Sequence, residues 1–103
     1  MEIELLHFSG CPHAPMALRR LTGLLVSEGV SASIRQIEVL TIDQAKETRF
    51  LGSPSIRIDG DDIEPKARGR LDFGLMCRTY EDGSGVPPLD LITKAIREHS
   101  TAD

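Results

Sequence analysis

The stretch "HFSGCPHAPMALRRL", residues 7–21, places a cysteine between an apolar run and a run with helical periodicity. Residues 3–8, "IELLHF", are apolar and end at Ser-Gly, so they predict a buried strand. From Pro12 the apolar residues recur at helical spacing, Pro12 suits the first helical position, and Gly29 suits the position after the last turn. The stretch therefore predicts a strand, a loop that carries Cys11, and a helix of about four turns.

The next segment predicts a second strand and a second helix. Residues 32–39 alternate imperfectly between apolar and polar side chains, which favours a strand. Residues 41–50 predict a short helix with Ile42, Ala45 and Phe50 facing inward. The chain therefore begins in the order β-α-β-α.

A β-hairpin follows in "GSPSIRIDGDDIEP", residues 52–65. Ile56 and Ile58 alternate with polar side chains, and Asp59-Gly60 is a strong signal for a two-residue turn between strands. The sequence therefore predicts two short antiparallel strands here.

The last part of the chain combines an irregular segment and a helix. Residues 66–87 are rich in glycine and contain one strand-like fragment, "LMCRTY", at residues 75–80. A final helix opens at Pro88. Its apolar face is formed by Leu89, Ile92, Ala95 and Ile96.

The predicted order β-α-β-α-β-β-α is an α/β fold, with a mixed four-stranded sheet flanked by helices and an irregular insertion before the last helix. With the motifs "FSGCPHA" and "GSPSIRIDG", the chain resembles the thioredoxin-like superfamily in its compact, glutaredoxin-sized form. It is also similar to small, mostly uncharacterised bacterial thioredoxin-like proteins with a "GCP" loop. The resemblance implies one domain over residues 1–103, with thiol chemistry at Cys11.

Composition narrows the class of protein. The chain has 103 residues, 40% of them hydrophobic and 27% charged, with a net charge of −4 and no run of Lys or Arg. These values predict one globular domain and no nucleic-acid partner. No segment has the length of a membrane span and the N-terminus is not a secretory signal, so a cytoplasmic location is expected and no membrane partner. In a reducing compartment, two cysteines favour chemistry or metal binding over a structural disulfide.

Cys11 is the predicted reactive thiol. It lies just before a helix, where free backbone N–H groups and the helix dipole favour a thiolate, although a small buried hydrophobe is the alternative. The motif Cys11-Pro12-His13-Ala14 departs from the C-x-x-C of dithiol members, and Ala14 cannot resolve a mixed disulfide. His13 is either a partner of the thiolate or an exposed side chain.

The missing resolving thiol suggests Cys77, the other cysteine of the chain. Residues 66–87 begin and end at the same end of the predicted sheet as Cys11, which predicts that they lie beside it. Cys77 then either resolves a disulfide at Cys11 or fills an apolar pocket near Leu75 or Tyr80. Glutathione is the external alternative for resolution.

Ser53-Pro54 is a predicted binding element. A proline at the mouth of a central strand is compatible with a cis peptide bond, and an edge-strand proline in trans is the alternative. The resemblance implies that Ser53 and Pro54 contact an extended substrate beside the reactive sulfur, with Pro12 and His13 also near it.

Arsenate reduction and zinc binding are weaker interpretations of the same residues. Arsenate reductases use one cysteine at a similar junction and need arginines to hold the oxyanion. The candidates Arg19, Arg49, Arg57 and Arg78 are more typical of solvated surfaces. No zinc-type spacing joins the histidines and cysteines, so no metal site and no cofactor are predicted.

The sequence thus predicts a thiol-based redox protein whose partner is a thiol or disulfide, either glutathione or a protein. The alternative is a non-catalytic protein that binds a peptide, or a soft ion such as copper or mercury through its two thiolates.

Overall fold

The computed structural model describes residues 1–100, and within them the chain forms four strands and three helices. A 3₁₀ turn at Pro65–Ala67 lies in the connection before the last helix. The elements are β1 Glu2–His7, α1 Ala14–Ser27, β2 Ser33–Glu38, α2 Ile42–Glu47, β3 Ser55–Ile58, β4 Asp61–Asp62 and α3 Leu89–Ser100.

The four strands form one mixed sheet in the order β2-β1-β3-β4. Strand β1 runs parallel to β2, with Ile3 opposite Ile34, and antiparallel to β3, with Ile3 opposite Ile58. The parallel pair needs a crossover, which α1 supplies. The prediction of an α/β chain with a mixed four-stranded sheet and flanking helices is confirmed.

Each face of the sheet carries a separate apolar cluster. The larger cluster joins alternate residues of β1 and β3 to α1 and α3, and the smaller one joins the opposite face of β1 to α2 and its flanks. The larger cluster includes Ile3, Leu5, Ala17, Leu21, Ile56, Ile58, Ile92 and Ile96, and the smaller one comprises Leu6, Val39, Ala45 and Phe50.

The Asp59-Gly60 turn is as predicted. Ile58 pairs with Asp61, so the turn contains two residues, and both have positive φ, 51° at Asp59 and 87° at Gly60. These angles match the turn that joins twisted antiparallel strands. The Asp59 carboxylate also accepts a hydrogen bond from the Glu2 N–H at 2.8 Å, which ties the turn to β1.

The start of α1 differs from the prediction. The helix begins at Ala14 instead of Pro12, and Pro15 occupies its first turn. Cys11 therefore lies three residues before the helix. The difference follows from the presence of two prolines, since either suits a first turn and the local pattern does not choose between them. The predicted end is correct, because Gly29 has a φ of 67° and its N–H donates to the Val26 carbonyl.

Two other local predictions are wrong. Ile42 is expected to face inward, but it is 59% exposed, whereas Ala45 and Phe50 are buried. The Thr41 hydroxyl accepts a hydrogen bond from the Gln44 N–H, which fixes the start of α2 and leaves Ile42 as its outward-facing first residue. Residues 75–80 form no strand, only one isolated bridge described below.

Within residues 1–100, no helix is both long and apolar enough to cross a membrane.

Candidate functional site

Cys11 lies in a tight loop between β1 and α1. Its N–H donates to the Phe8 carbonyl, and its own carbonyl accepts from the Ala14 N–H, both at 3.4 Å. Gly10 has a φ of 78°, a conformation that glycine adopts without strain. Cys11 is 7% exposed, so the thiol lies at the surface of the core with little access to solvent.

Ser53 and Pro54 lie beside this loop. The peptide bond between them is cis, as predicted. Ser53 is fully buried, and its hydroxyl accepts a hydrogen bond from the Phe8 N–H at 3.2 Å. Since Cys11 also bonds to Phe8, the two segments that were predicted to build the site share one anchor residue.

The backbone of Ser53 is paired with the chain's own residues around Cys77. Its N–H donates to the Met76 carbonyl at 2.9 Å, and its carbonyl accepts from the Arg78 N–H at 3.1 Å. Ser53 and Cys77 thereby form a parallel bridge. A segment of the same chain therefore takes the two backbone hydrogen bonds of Ser53 in this arrangement.

Cys77 lies at the same end of the sheet as Cys11, because Ser53 precedes β3 and contacts the loop that follows β1. Cys77 is exposed and is not part of an apolar pocket. The alternative interpretation, in which Cys77 fills a pocket near Leu75 or Tyr80, is wrong. Both thiols are free in this structure.

Tyr80 joins the two sides of the site. It is 2% exposed and its hydroxyl donates a hydrogen bond to the Pro54 carbonyl. Burial is the main cause that raises the pKa of Tyr80, and the carboxylates of Asp62 and Glu64 add to it. The sequence analysis assigned no function to Tyr80. The residue lies three positions after Cys77 in the fragment "LMCRTY", and this proximity was the available signal.

The segment after Tyr80 covers the other side of the loop. A Cβ atom built on Gly85 would lie 2.8 Å from the His13 ring, so the imidazole packs directly on that glycine. The Arg20 side chain also donates to the Pro87 carbonyl at 3.0 Å. The end of the 66–87 segment thus lies beside the Cys11 loop, as predicted, whereas Arg68 and Arg70 lie with the Asp59-Gly60 turn. Within residues 1–100, no hydrogen bond joins the His13 imidazole to Cys11.

Arg78 anchors this segment to the sheet. The side chain is fully buried, and it donates to both carboxylate oxygens of Asp62 at 2.7 Å and to the Ser55 hydroxyl at 3.0 Å. Glu64 accepts a further bond at 3.3 Å. Burial opposes the charged form, but the hydrogen bonds and the carboxylates raise the pKa of Arg78 above its ordinary value. The sequence interpretation of Arg78 as a solvated residue is wrong, because its partners are 14 to 23 residues away.

The four arginines considered for an oxyanion do not converge on Cys11. Arg19 is exposed on α1 and Arg78 is buried against Asp62. Arg49 and Arg57 line a cavity that reaches the Asp59-Gly60 turn, at the end of the sheet opposite to Cys11. The arsenate interpretation therefore lacks its anion-binding residues at the thiol.

The part of the chain that the structure describes offers no evident metal centre. It contains no group of three or more His, Cys, Asp or Glu side chains placed to hold a metal ion. Pro12, predicted to lie near a substrate, is exposed beside Cys11.

Neither a comparison with models of known protein families nor one with curated proteins finds a match for this chain. Its function must therefore be inferred from the residues of the site.

Proposed function

We propose that this chain is a thiol-disulfide redox protein of the thioredoxin-like type, in which Cys11 and Cys77 form the redox pair. The observation that carries the proposal is the backbone pairing of Cys77 with Ser53. It joins Cys77 to Ser53, whose hydroxyl accepts a hydrogen bond from the Phe8 N–H, and Phe8 lies three residues before Cys11. Cys77 thereby supplies the thiol that Ala14 cannot.

A chain of short contacts connects the two cysteines. Residues paired across neighbouring strands have Cα atoms about 5 Å apart, and the Ser53 hydroxyl is 3.2 Å from the Phe8 nitrogen. Cys11 follows three residues later in a loop that turns back to Phe8. A disulfide needs Cα atoms within roughly 7 Å, so we expect a local adjustment of the glycine-containing loop to close the bond.

The exposure of the two thiols favours an order of reaction. Cys77 is exposed, whereas Cys11 is 7% exposed. A disulfide substrate therefore meets Cys77 first, since attack needs an accessible thiolate. Cys11 then acts as the resolving thiol, which reverses the roles assigned from the sequence.

The backbone at Cys77 also offers a place for a substrate. In the bridge, the backbone groups that bond to Ser53 belong to Met76 and Arg78. The N–H and carbonyl of Cys77 therefore point away from Ser53. Neither group makes a backbone hydrogen bond within residues 1–100. An extended thiol or disulfide, such as glutathione or a peptide, can pair with this free edge while its sulfur contacts Cys77.

The reaction balances over two exchanges. The Cys77 thiolate attacks one sulfur of the substrate disulfide, forms a mixed disulfide and releases one substrate thiolate. The Cys11 thiolate then attacks the Cys77 sulfur and releases the second substrate thiolate. The substrate gains two electrons, the protein is left with a Cys11–Cys77 disulfide, and an external thiol reductant such as glutathione returns it to the dithiol.

Binding of a soft ion by the same two thiols is the alternative function, because two sulfur ligands alone can hold copper(I) or mercury(II). It needs the same placement of Cys77 but no electron transfer. Turnover with a disulfide therefore separates the two functions.

An aromatic disulfide that releases a coloured thiolate tests the proposal. Wild-type protein should release two thiolates per chain and finish with an internal disulfide and no adduct in its mass spectrum. Cys11→Ser should release one thiolate and keep the adduct on Cys77, and Cys77→Ser should react much more slowly. Two stable adducts on the wild type, with no internal disulfide, would contradict the redox pair. A fast reaction of Cys77→Ser would contradict only the order.

A further inference from the structure

A cavity lined by arginines lies on the face of the sheet opposite to α1 and α3. It has a volume of about 140 Å³, and four arginines are among the residues that line it, Arg49, Arg57, Arg68 and Arg70. These are four of the twelve basic residues of an acidic chain. The cavity reaches Gly60 in the hairpin turn, so it is separate from the Cys11 site.

The carboxylates that line the cavity are bound by other groups. Asp61 and Asp62 line it together with the four arginines. Asp62 is already bound on both oxygens by the buried Arg78, and Asp61 lies 3.2 Å from the His99 imidazole. Both carboxylates therefore have other partners.

Two of the guanidinium groups have no carboxylate partner. Among residues 1–100, no carboxylate oxygen lies within 4.0 Å of Arg49 or Arg57. Arg68 and Arg70 differ, since Arg68 pairs with Glu98 at 3.7 Å and Arg70 with Asp72 at 2.6 Å. Arg49 and Arg57 are thus the two arginines of this cavity that form no ion pair within residues 1–100.

Arg57 is the more constrained of the two. It is partly buried on β3, and burial lowers its pKa, against the opposing influence of Glu4 and Asp62. Its Nη2 atom donates to the Arg49 carbonyl at 2.7 Å. A partly buried cation without an ion pair has lost part of its hydration, so a bound anion would compensate it.

Neighbouring groups already hold the guanidinium groups in place. Arg49 stacks on the Phe73 ring, with its central carbon 5.0 Å from the ring centroid. Arg70 makes two hydrogen bonds to Asp72, which orient its planar group. Because the donors are already oriented, binding an anion costs less conformational entropy.

We propose that this cavity binds a tetrahedral dianion, either inorganic phosphate or the phosphate group of a small phosphomonoester. Two unpaired guanidinium groups match two negative charges, and arginine donors suit the geometry of phosphate oxygens. The cavity volume of about 140 Å³ admits several water molecules and is large enough for a phosphate group.

Titration with inorganic phosphate at constant ionic strength, followed by backbone amide NMR, tests the proposal. Saturable shifts are expected at Arg49, Arg57 and Gly60. Arg57→Gln and Arg49→Gln should each weaken binding about tenfold or more, because each removes a charge-assisted hydrogen bond. Arg35→Gln is the matched control, since Arg35 is exposed on strand β2, at the other edge of the sheet, and does not line the cavity.

The outcomes separate the possibilities. Equal weakening by Arg35→Gln, or shifts that do not saturate, would show general charge screening and overturn the proposal. Phenyl phosphate in a second titration identifies the source of the ligand. Binding of phosphate alone indicates a free ion, and tighter binding of phenyl phosphate indicates an ester, so either supports the site. If Arg57→Gln does not fold, Arg57→Lys and Arg49→Gln give the same comparison.

Discussion

The backbone of Cys77 pairs with that of Ser53, and this pairing closes the end of the sheet where Cys11 lies. It has two effects on the site. The N–H and carbonyl of Ser53 are both hydrogen-bonded. The backbone groups that stay free at this edge within residues 1–100 are the N–H and carbonyl of Cys77. The exposed thiol and the exposed edge thus belong to the same residue, Cys77.

Gly52 permits this pairing, and replacing it should destabilise the protein. Its φ is 118°, and a Cβ atom there would lie 3.0 Å from the Cα of Arg78. Gly52→Ala should therefore lower the free energy of unfolding by about 1–3 kcal/mol, through backbone strain and a steric clash. Urea denaturation measures this change in the free energy of unfolding.

Gly23→Ala is the matched control for this prediction. Gly23 is exposed within α1, and a Cβ atom added there would meet nothing within 4 Å. Alanine should stabilise the helix there by roughly 0.5–1 kcal/mol. If both variants changed stability in the same direction, close approach of Arg78 would not be the cause.

Local signals in the sequence predicted the parts of the fold that depend on neighbouring residues. The Asp59-Gly60 turn, the strand before it and the end of α1 at Gly29 each follow from backbone preferences within a few residues. The start of α1 was misplaced because Pro12 and Pro15 satisfy the same preference. The candidate thiol at the strand-to-helix junction also came from a local pattern.

The contacts that complete the site could not be predicted in this way. The bridge between Ser53 and Cys77, and the ion pair of Arg78 with Asp62 across 16 residues, join segments with no common local pattern. The local sequence does not distinguish a buried arginine from an exposed one, because the partners that bury it are distant along the chain. The cavity at Arg57 was missed for the same reason, since its four arginines come from three separate segments.

His99 should make stability depend on pH near neutrality. Burial lowers the pKa of His99, but hydrogen bonds to the Ala95 carbonyl and the Asp61 carboxylate outweigh burial, so the pKa is raised above 6.5. Because the folded state binds the proton more tightly, this contribution is complete below about pH 6.5 and is lost as pH rises through the folded pKa. The effect should be about 0.5 kcal/mol, since Asp61 is exposed.

Urea unfolding at about pH 5.5 and about pH 8 measures this dependence, because the two values bracket the titration of histidine. His99→Gln should reduce the difference in stability between them. His13→Gln serves as the control, since the His13 ring makes no hydrogen bond within residues 1–100. A larger loss of pH dependence in His13→Gln than in His99→Gln would contradict the assignment.

Tyr80 should ionise only at unusually high pH. Burial first, and then nearby negative charges that include Cys11, raise its pKa above the ordinary value of about 10. The chain has one tyrosine and no tryptophan, so phenolate absorbance reports this residue alone. In urea the phenolate should appear near pH 10, and in the folded protein only above it. If the phenolate appeared at the same pH in urea and in the folded protein, the burial of Tyr80 would be contradicted.

Arg78 should control access to Cys11 as well as stability. Arg78→Met would leave Asp62 and Glu64 without their buried cation, and breaking such a pair costs about 3–5 kcal/mol. The residues around Cys77 are attached to β3 and β4 through this side chain, so its loss should also expose Cys11. Alkylation of Cys11 in a Cys77→Ser background should then be faster for Arg78→Met, in conditions where circular dichroism shows a folded protein.

Arg97→Met provides the comparison, because it removes an arginine whose ion pair with Glu28 lies on the surface. It should leave both the unfolding midpoint and the alkylation rate of Cys11 nearly unchanged. If Arg78→Met lowered stability without changing the alkylation rate, Arg78 would stabilise the sheet but would not limit access to Cys11. Faster alkylation only for Arg78→Met would mean that its buried ion pair holds the segment around Cys77 against the sheet and limits access to the thiol.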